Sequence, residues 1–128
     1  MGIFNSLMNM LAQSSSGGSP YNSGRPVEYY YSSTDNIPEE MGAYRVISSG
    51  KVVYIGISNN LRRRIREHKS TGEKLRSGET VAIQIAKPEA SYQQVAAYER
   101  VQVDKHQPER NQRSGGGRRP VYTLDVEY

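Results

Sequence analysis

The chain has 128 residues, no cysteine, two histidines and a formal net charge of +4 at pH 7. This composition excludes a disulfide framework, a thiolate zinc site and a histidine-rich metal site. The length allows one small domain with extensions, and the excess of Lys and Arg favours a polyanionic partner such as nucleic acid.

The first 37 residues are predicted to form an N-terminal amphipathic segment and a flexible linker. Within residues 1–12, apolar side chains recur at helical spacing, at Ile3, Phe4, Leu7, Met8 and Leu11. Residues 14–26 are rich in Ser, Gly and Pro and cannot bury enough surface to offset the entropy of ordering, so they are predicted as the linker. A helix this short is not stable alone in water, so we expect it to dock on its own domain, in a homodimer or on a partner.

No membrane-spanning or secretory segment is predicted. Residues 1–12 are too short to cross a bilayer, and they lack the basic start and the cleavage site of a secretory signal. The expected location of the protein is therefore the cytoplasm.

Residues 38–112 have the alternating patterns of a small α/β domain of the α+β type. The segments GAYRVIS and KVVYIGIS predict two strands, and the Ser-Gly-Lys turn signal between them predicts an antiparallel hairpin. Asn59 or Asn60 is expected to cap a helix that continues through Lys69, because an Asn side chain accepts a hydrogen bond from a free backbone amide of the first turn.

A third strand and a second helix complete the predicted domain. ETVAIQIA alternates apolar and polar residues, as a half-buried strand does. Ser91 and Gln94 have the spacing of a capping box, which predicts a helix to about His106. The expected fold is a small three-stranded, mainly antiparallel sheet flanked by helices. In the tail, residues 113–128, the pattern VYTLDVEY predicts a possible edge strand.

The helical phase of the first helix separates one arginine from its neighbours. Leu61, Ile65 and His68 fall on one side, and Arg64 lies at the edge of that side, one turn before His68. The other arginines of the helix point elsewhere. A helix that is merely solvated would keep every arginine away from its apolar side, so Arg64 is the candidate for a residue that faces a cleft.

Glu99 lies in the middle of the packed face of the second helix. An unpaired buried carboxylate is costly, so Glu99 needs a partner. Helical phase leaves two partners open, namely an arginine in a structural ion pair and a metal ion in a functional site.

Five elements of the chain, in order, resemble the GIY-YIG nuclease family. They are GAY at 42–44, YIG at 54–56, Arg64, Glu99 and QPERN ending at Asn111. The two tyrosines, Tyr44 and Tyr54, are ten positions apart, and twelve positions separate Glu99 from Asn111. The resemblance extends over residues 42–111 and implies a GIY-YIG-like fold.

The resemblance implies a metal-dependent endonuclease that hydrolyses phosphodiester bonds, with DNA expected ahead of RNA. Glu99 would be the protein ligand of one divalent ion, Mg²⁺ or Mn²⁺. Tyr54 would be the general base, and Tyr44 would hold the attacking water or a phosphate oxygen. Arg64 would stabilise charge on the non-bridging oxygens with its rigid fork of donors.

The remaining site residues have supporting roles in this hypothesis. His68 would contact the substrate or help with proton transfer, and Asn111 would brace the site. The other cations of the first helix, Arg62, Arg63, Arg66 and Lys69, are expected to bind backbone phosphates.

Two substitutions depart from the family pattern. Ala43 replaces the isoleucine of the first motif, which should alter only packing. Ile57 stands where some members have a lysine that lowers the tyrosine pKa, so the division of labour between Tyr44, Tyr54 and His68 stays open. The alternative function is a catalytically silent nucleic-acid-binding or interaction module on the same fold.

Overall fold

The structure, a computed structural model, describes residues 19–22, 24–113 and 120–127. The amphipathic helix predicted at residues 1–12, and the docking expected of it, lie outside the described residues. The predicted linker falls partly outside them as well. The described strands are β1 (Val27–Tyr30), β2 (Gly42–Ser48), β3 (Lys51–Ser58), β4 (Thr80–Ile85), β5 (Gln112–Arg113), β6 (Val121–Tyr122) and β7 (Asp125–Glu127). The helices are α1 (Leu61–Thr71) and α2 (Tyr92–His106), with 3₁₀ helices at Tyr31–Asn36 and Glu109–Asn111.

The main sheet has five strands in the order β1-β4-β2-β3-β7. The predicted hairpin forms between β2 and β3, and the neighbouring pairs β2–β4 and β1–β4 are also antiparallel. β7 lies parallel to β3, while β5 and β6 form a separate two-stranded ribbon. The predicted α+β class is therefore confirmed. The prediction of a three-stranded, mainly antiparallel sheet is wrong, because the sheet has five strands and is mixed, with β7 parallel to β3.

The two additional strands of the main sheet, β1 and β7, lie at its edges. They are four and three residues long. A strand this short has no periodicity that distinguishes it from a loop, so its place in the sheet depends on pairing with a distant part of the chain. The edge strand expected in the tail is divided in the structure into β6 and β7.

Side-chain caps determine where both helices begin. Asn60 Oδ1 accepts a hydrogen bond of 3.1 Å from the backbone N–H of Arg63 at the start of α1. Ser91 and Gln94 form the predicted capping box at the start of α2. Gly72 ends α1 in the left-handed conformation, with φ of 72°, which glycine adopts without a steric penalty.

Each face of the sheet has its own core. Ile65 of α1 packs with Tyr44, Val46 and Tyr54 on one face. On the other face, α2 packs through a cluster that also includes an N-terminal tyrosine: Tyr21, Ala43, Ile57, Val95 and Ala96. Because successive residues of a strand point to opposite faces, a residue next to Tyr44 in β2 belongs to the α2 face.

In the part of the chain that the structure describes, no helix combines the length and the apolar character needed to cross a bilayer.

Candidate active site

Four side chains from β2, β3 and α1 meet on the α1 face of the sheet: Tyr44, Tyr54, Arg64 and His68. The hydroxyl oxygen of Tyr44 lies 2.7 Å from Nε2 of His68. The His68 ring centroid is 5.5 Å from the centroids of both tyrosine rings, and the two tyrosine centroids are 6.3 Å apart. The two phenols and the imidazole therefore form one cluster, and the Arg64 guanidinium is linked to it through a shared acceptor, Asp125 Oδ2.

Gly56 makes this cluster sterically possible. It pairs with Tyr44 across the hairpin, and the tyrosine ring lies over it. A Cβ atom built on Gly56 would be 2.2 Å from the hydroxyl oxygen of Tyr44 and 2.3 Å from its Cζ. The glycine of the second motif is thus required by the tyrosine of the first, which connects the two motifs physically.

Asp125 of β7, which belongs to none of the family motifs in the sequence, joins the cluster. Arg64 Nη2 donates to both of its carboxylate oxygens, at 2.8 and 3.0 Å, and Nε donates to Oδ2 at 3.3 Å. Tyr44 also donates to Oδ2, and His68 Nε2 lies 3.3 Å from the same oxygen. The side chain is 13 % exposed, so Asp125 is nearly enclosed by the proposed catalytic residues.

The alternation of the tail could have indicated this position. Leu124 and Val126 pack against the core on the α2 face. A strand that places these two residues on one face must direct Asp125 to the other, where Arg64 lies.

The electrostatic environment of the cluster favours neutral phenols and an ionised carboxylate. Burial opposes the ionisation of Asp125, but hydrogen bonds from His68, Tyr44 and Arg64 outweigh it and hold the pKa of Asp125 well below its usual range. Burial raises the pKa of Tyr44 and of Tyr54 well above 10, and the charge of Asp125 raises both further. Both tyrosines are therefore protonated at neutral pH in this arrangement.

Glu99 lies on the opposite face of the sheet, where α2 packs. Its Oε1 is 3.0 Å from Nη2 of Arg45, which follows Tyr44 in β2 and so points away from it. Its Oε2 accepts a hydrogen bond from the Tyr21 hydroxyl. The structure thus gives Glu99 an arginine partner, but it does not bring Glu99 together with Arg64.

The residues around Glu99 do not fit a bound metal ion in this arrangement. Both carboxylate oxygens have partners, and the side chain is 0 % exposed. Burial raises the pKa of Glu99, which Arg45 and Tyr21 partly offset. In the described ranges, no group of three or more His, Cys, Asp or Glu residues is arranged to hold an ion.

Asn111 connects β3 to the tail through backbone hydrogen bonds. Its Oδ1 accepts from the N–H of Ile55 at 2.8 Å, and its Nδ2 donates to the carbonyl oxygens of Ile55 and Thr123, both at 2.9 Å. The backbone N–H of Thr123 donates in turn to the Asn111 carbonyl at 3.0 Å. Asn111 therefore holds the start of the β7 segment beside β3.

The other cations of α1 have acceptors within the protein. Arg62 donates to the carbonyl of Ile37 at 2.7 Å, and Lys69 donates to the carbonyl of Tyr31 at 2.9 Å. Arg63 pairs with an acidic residue of its own helix, Glu67, at 3.3 Å.

Arg66 lies 3.4 Å from Asp35. Its side chain is 65 % exposed, more than those of the ion-paired Arg63 and Arg64 on the same helix. The predicted substrate-binding cations thus lie outside the cluster around Arg64.

An open cleft of about 330 Å³ adjoins Tyr54 and the tail. Three cations are among its lining residues, which are Tyr54, Lys74, Arg110, Asn111, Gln112, Arg113, Thr123, Leu124, Asp125 and Val126. The Lys74 ammonium is 5.2 Å from the Tyr54 ring centroid. The polar, cationic walls suit a phosphate-bearing ligand better than an apolar one.

Comparison with known proteins identifies a family domain within the chain. The family model described as the GIY-YIG catalytic domain matches residues 40–113, which is more than half of the chain. This range contains Tyr44, Tyr54, Arg64, His68 and Glu99, but not Asp125. No curated protein and no solved structure matches the chain.

Proposed function

Because the chain belongs to the GIY-YIG family, whose domains generally are endonucleases, we propose that it is a metal-dependent endonuclease that hydrolyses phosphodiester bonds in DNA. The observation that supports this proposal is the cluster of Tyr44, Tyr54, Arg64 and His68 beside an open cationic cleft. A guanidinium fork, two phenols and an imidazole are groups that can bind a phosphate and move a proton.

In this proposal, Arg64 binds the non-bridging oxygens of the scissile phosphate. Its planar fork matches two oxygens at once, which a lysine ammonium cannot do. Tyr54 faces the cleft and orients the attacking water. The Tyr44 hydroxyl and His68 Nε2, 2.7 Å apart, form a pair through which a proton can be relayed.

The requirement for a divalent ion rests on the family, whose nucleases generally use one. We retain Mg²⁺ or Mn²⁺ and Glu99 as the proposed ion and ligand. Because both oxygens of Glu99 have partners, Tyr21 would have to release Oε2 before an ion could bind there. The roles proposed for the cluster around Arg64 do not depend on that rearrangement.

Phosphate contacts outside the reacting group are proposed for two surfaces. Lys74 and Arg113 line the cleft, and Arg63 and Arg66 are 42 % and 65 % exposed on α1. Arg62 and Lys69, whose donors bind backbone carbonyls, are expected to contribute less to DNA binding than to the fold. Residues 1–12 remain our proposed contact for a homodimer or a larger partner.

A catalytically silent nucleic-acid-binding module is the second candidate. The observation that favours it is the closure of Glu99 by Arg45 and Tyr21. Such a module would bind DNA but would not cleave it, whichever divalent ion is supplied.

Incubation with supercoiled plasmid separates the two candidates. We expect nicking in Mg²⁺ or Mn²⁺, no nicking in excess chelator, and loss of nicking in Arg64→Ala and Tyr54→Phe prepared in the same way. DNA binding without cleavage in Mg²⁺, Mn²⁺, Ca²⁺ and Co²⁺ would support the silent module. Cleavage that both variants retain in full would show that the assigned cluster is not the active site.

A further inference from the structure

All three nitrogens of the Arg64 guanidinium donate hydrogen bonds to carboxylates of the same chain. The edge formed by Nε and Nη2 binds both oxygens of Asp125, at distances from 2.8 to 3.3 Å. Nη1 donates to Glu67 at 2.9 Å. A phosphate that is to bind the Arg64 fork must therefore replace one of these carboxylates, and Asp125 holds the bidentate edge.

Asp125 meets the same donors that a phosphate would meet. Carboxylates and phosphates both present two oxygens to a guanidinium fork. Besides Arg64, the Asp125 carboxylate accepts a hydrogen bond from Tyr44 and lies 3.3 Å from His68. Its position is thus the one in which the proposed mechanism requires the scissile group.

The strand that bears Asp125 is short and lies at the edge of the sheet. β7 pairs with β3 over three residues, with Gly56 opposite Asp125 and Ile57 opposite Val126. Its other supports are the packing of Leu124 and Val126 against the α2-face core, two hydrogen bonds between Asn111 and Thr123, and the bonds that Asp125 itself makes. A three-residue edge strand opens locally at a lower free-energy cost than the central strands of the same sheet.

We propose that the C-terminal strand β7 is an autoinhibitory strap, in which the Asp125 carboxylate occupies the place of the scissile phosphate until nucleic acid displaces the strand. The proposal rests on the nuclease function proposed above. It extends that function, because it adds a regulatory segment outside the matched family domain. In the closed form, burial raises the pKa of Tyr54 and the negative charge of Asp125 raises it further.

A single substitution with a matched control tests the strap. Asp125→Asn removes the charge that holds Arg64, while Asp104→Asn makes the same chemical change at an exposed position of α2. Binding of a fluorescein-labelled DNA duplex is measured by anisotropy in excess chelator, and cleavage is measured as a single-turnover rate. Asp125→Asn should bind about fivefold tighter or more, as expected when the closed form holds at least about four-fifths of the molecules. It should also cleave faster, and Asp104→Asn should match the wild type.

The opposite result has a clear meaning. If Asp125 were part of the catalytic machinery, Asp125→Asn would cleave more slowly without binding more tightly. That outcome would overturn the strap.

A reversible cross-link gives a second test that does not depend on comparing variants of different stability. The natural chain has no cysteine, so a Cys pair at Ile57 and Val126, which are paired across β3 and β7, introduces the only thiols. The oxidised protein should bind DNA at least about fivefold more weakly than the same protein after reduction. Each single-Cys variant serves as the control for the reductant. Equal binding by the oxidised and reduced forms would overturn the strap.

These experiments separate a failure of the strap from a failure of the nuclease proposal. If no protein cleaves in any divalent ion, the nuclease proposal fails, while the binding comparisons still decide whether Asp125 blocks Arg64. If the wild type cleaves but Asp125→Asn neither binds tighter nor cleaves faster, the strap fails and the nuclease proposal stands.

Discussion

Gly56 and Tyr44 act as one steric unit, so a methyl group added at Gly56 should disable the site. Gly56→Ala places a Cβ atom 2.2 Å from the Tyr44 hydroxyl, and the buried ring must move to avoid it. We expect a loss of about 1–3 kcal/mol in the free energy of unfolding and loss of cleavage, because Tyr44 leaves His68. Urea denaturation and the plasmid assay measure the two effects.

Gly50→Ala is the control for this substitution. Gly50 has open space around its Cβ position but a φ of 77°, so alanine there costs stability through backbone strain. Its expected result is a similar loss of stability with cleavage retained. Cleavage by Gly56→Ala at the wild-type rate would mean that the position of Tyr44 is not required.

Substitutions at Arg64 and Arg66, which lie on the same helix, distinguish the contribution of bidentate geometry from that of positive charge. Arg64→Lys keeps the charge but loses the bidentate geometry, and single-turnover cleavage should fall on the order of 100-fold, as for the loss of one donor to a transition-state oxyanion. Arg66→Lys should leave cleavage within about twofold of the wild type, because an exposed, ion-paired arginine contributes little beyond its charge. Equal losses of cleavage at both positions would mean that α1 contributes only as a basic patch.

The sequence predicted the residues of the Arg64 cluster but not all of their partners. Helical phase put Arg64 and His68 on one side of their helix, and the family resemblance added Tyr44 and Tyr54. These residues lie near one another because the hairpin and the helix that carry them are consecutive in the chain. The partner of Glu99 depends on which face of β2 Arg45 occupies, and helical phase alone could not decide that. Asp125 lies in the tail, where the alternating pattern indicates a strand, but no local pattern shows that this strand pairs with β3 beside Arg64.

The ion pair Glu79–Arg110 connects the segment before β4 to the segment that carries Asn111. Arg110 donates to the two carboxylate oxygens of Glu79 at 2.8 and 2.6 Å. The hydrogen bonds from Arg110 lower the pKa of Glu79 from 4.5 to about 2. Because the pKa of the folded state lies below that of the unfolded state, the contribution of this pair is complete above pH 4.5 and is lost as the pH falls through 2.

Glu79→Gln should therefore destabilise the protein in a pH-dependent way. It leaves the charge of Arg110, whose side chain is 10 % exposed, without its partner. We expect a loss of roughly 2–4 kcal/mol in the free energy of unfolding at pH 7. The difference from the wild type should shrink between pH 4.5 and pH 2, as measured by denaturant unfolding at several pH values. A difference that is constant over this range would show that the charge of Glu79 does not contribute.

The elements that the sequence predicted well are those with several turns or several alternations. The two helices begin at side-chain caps that are visible in the sequence, and β2, β3 and β4 each have six to eight residues. Of the two edge strands, β1 was not predicted. The tail pattern predicted a strand that includes β7 but not its place beside β3, because a strand of three or four residues is stabilised by its neighbour more than by its own pattern.

In the molecule as a whole, each terminal region covers an ionisable group of a helix, one on each face of the sheet. Tyr21, 3 % exposed, bonds to Glu99 on the α2 face, as Asp125 bonds to Arg64 on the α1 face. Tyr21→Phe keeps the ring but leaves Oε2 of the buried Glu99 without this donor. We expect a loss of about 1–3 kcal/mol in the free energy of unfolding, measured by urea denaturation.

Tyr98→Phe is the control for Tyr21→Phe. The Tyr98 ring packs at 85° against Tyr21 with centroids 5.6 Å apart, and Phe preserves that contact. Its expected effect is smaller than about 0.5 kcal/mol. If both variants were equally stable, the hydroxyl of Tyr21 would contribute nothing to holding the N-terminal region against Glu99.

The pairing of β7 with β3 also has a consequence for the order of folding. Gly56 and Asp125 are 69 positions apart in the chain, whereas β2 and β3 are joined by a turn at Ser49 and Gly50. Closing the longer loop costs more entropy, and the pairing that it permits adds only three residue pairs of stabilisation. We therefore expect β7 to dock after the hairpin and α1 have assembled. A refolding chain would then pass through a species with Arg64 uncovered. In pulsed hydrogen exchange, the β3 amides that face β2 should gain protection before those of β7.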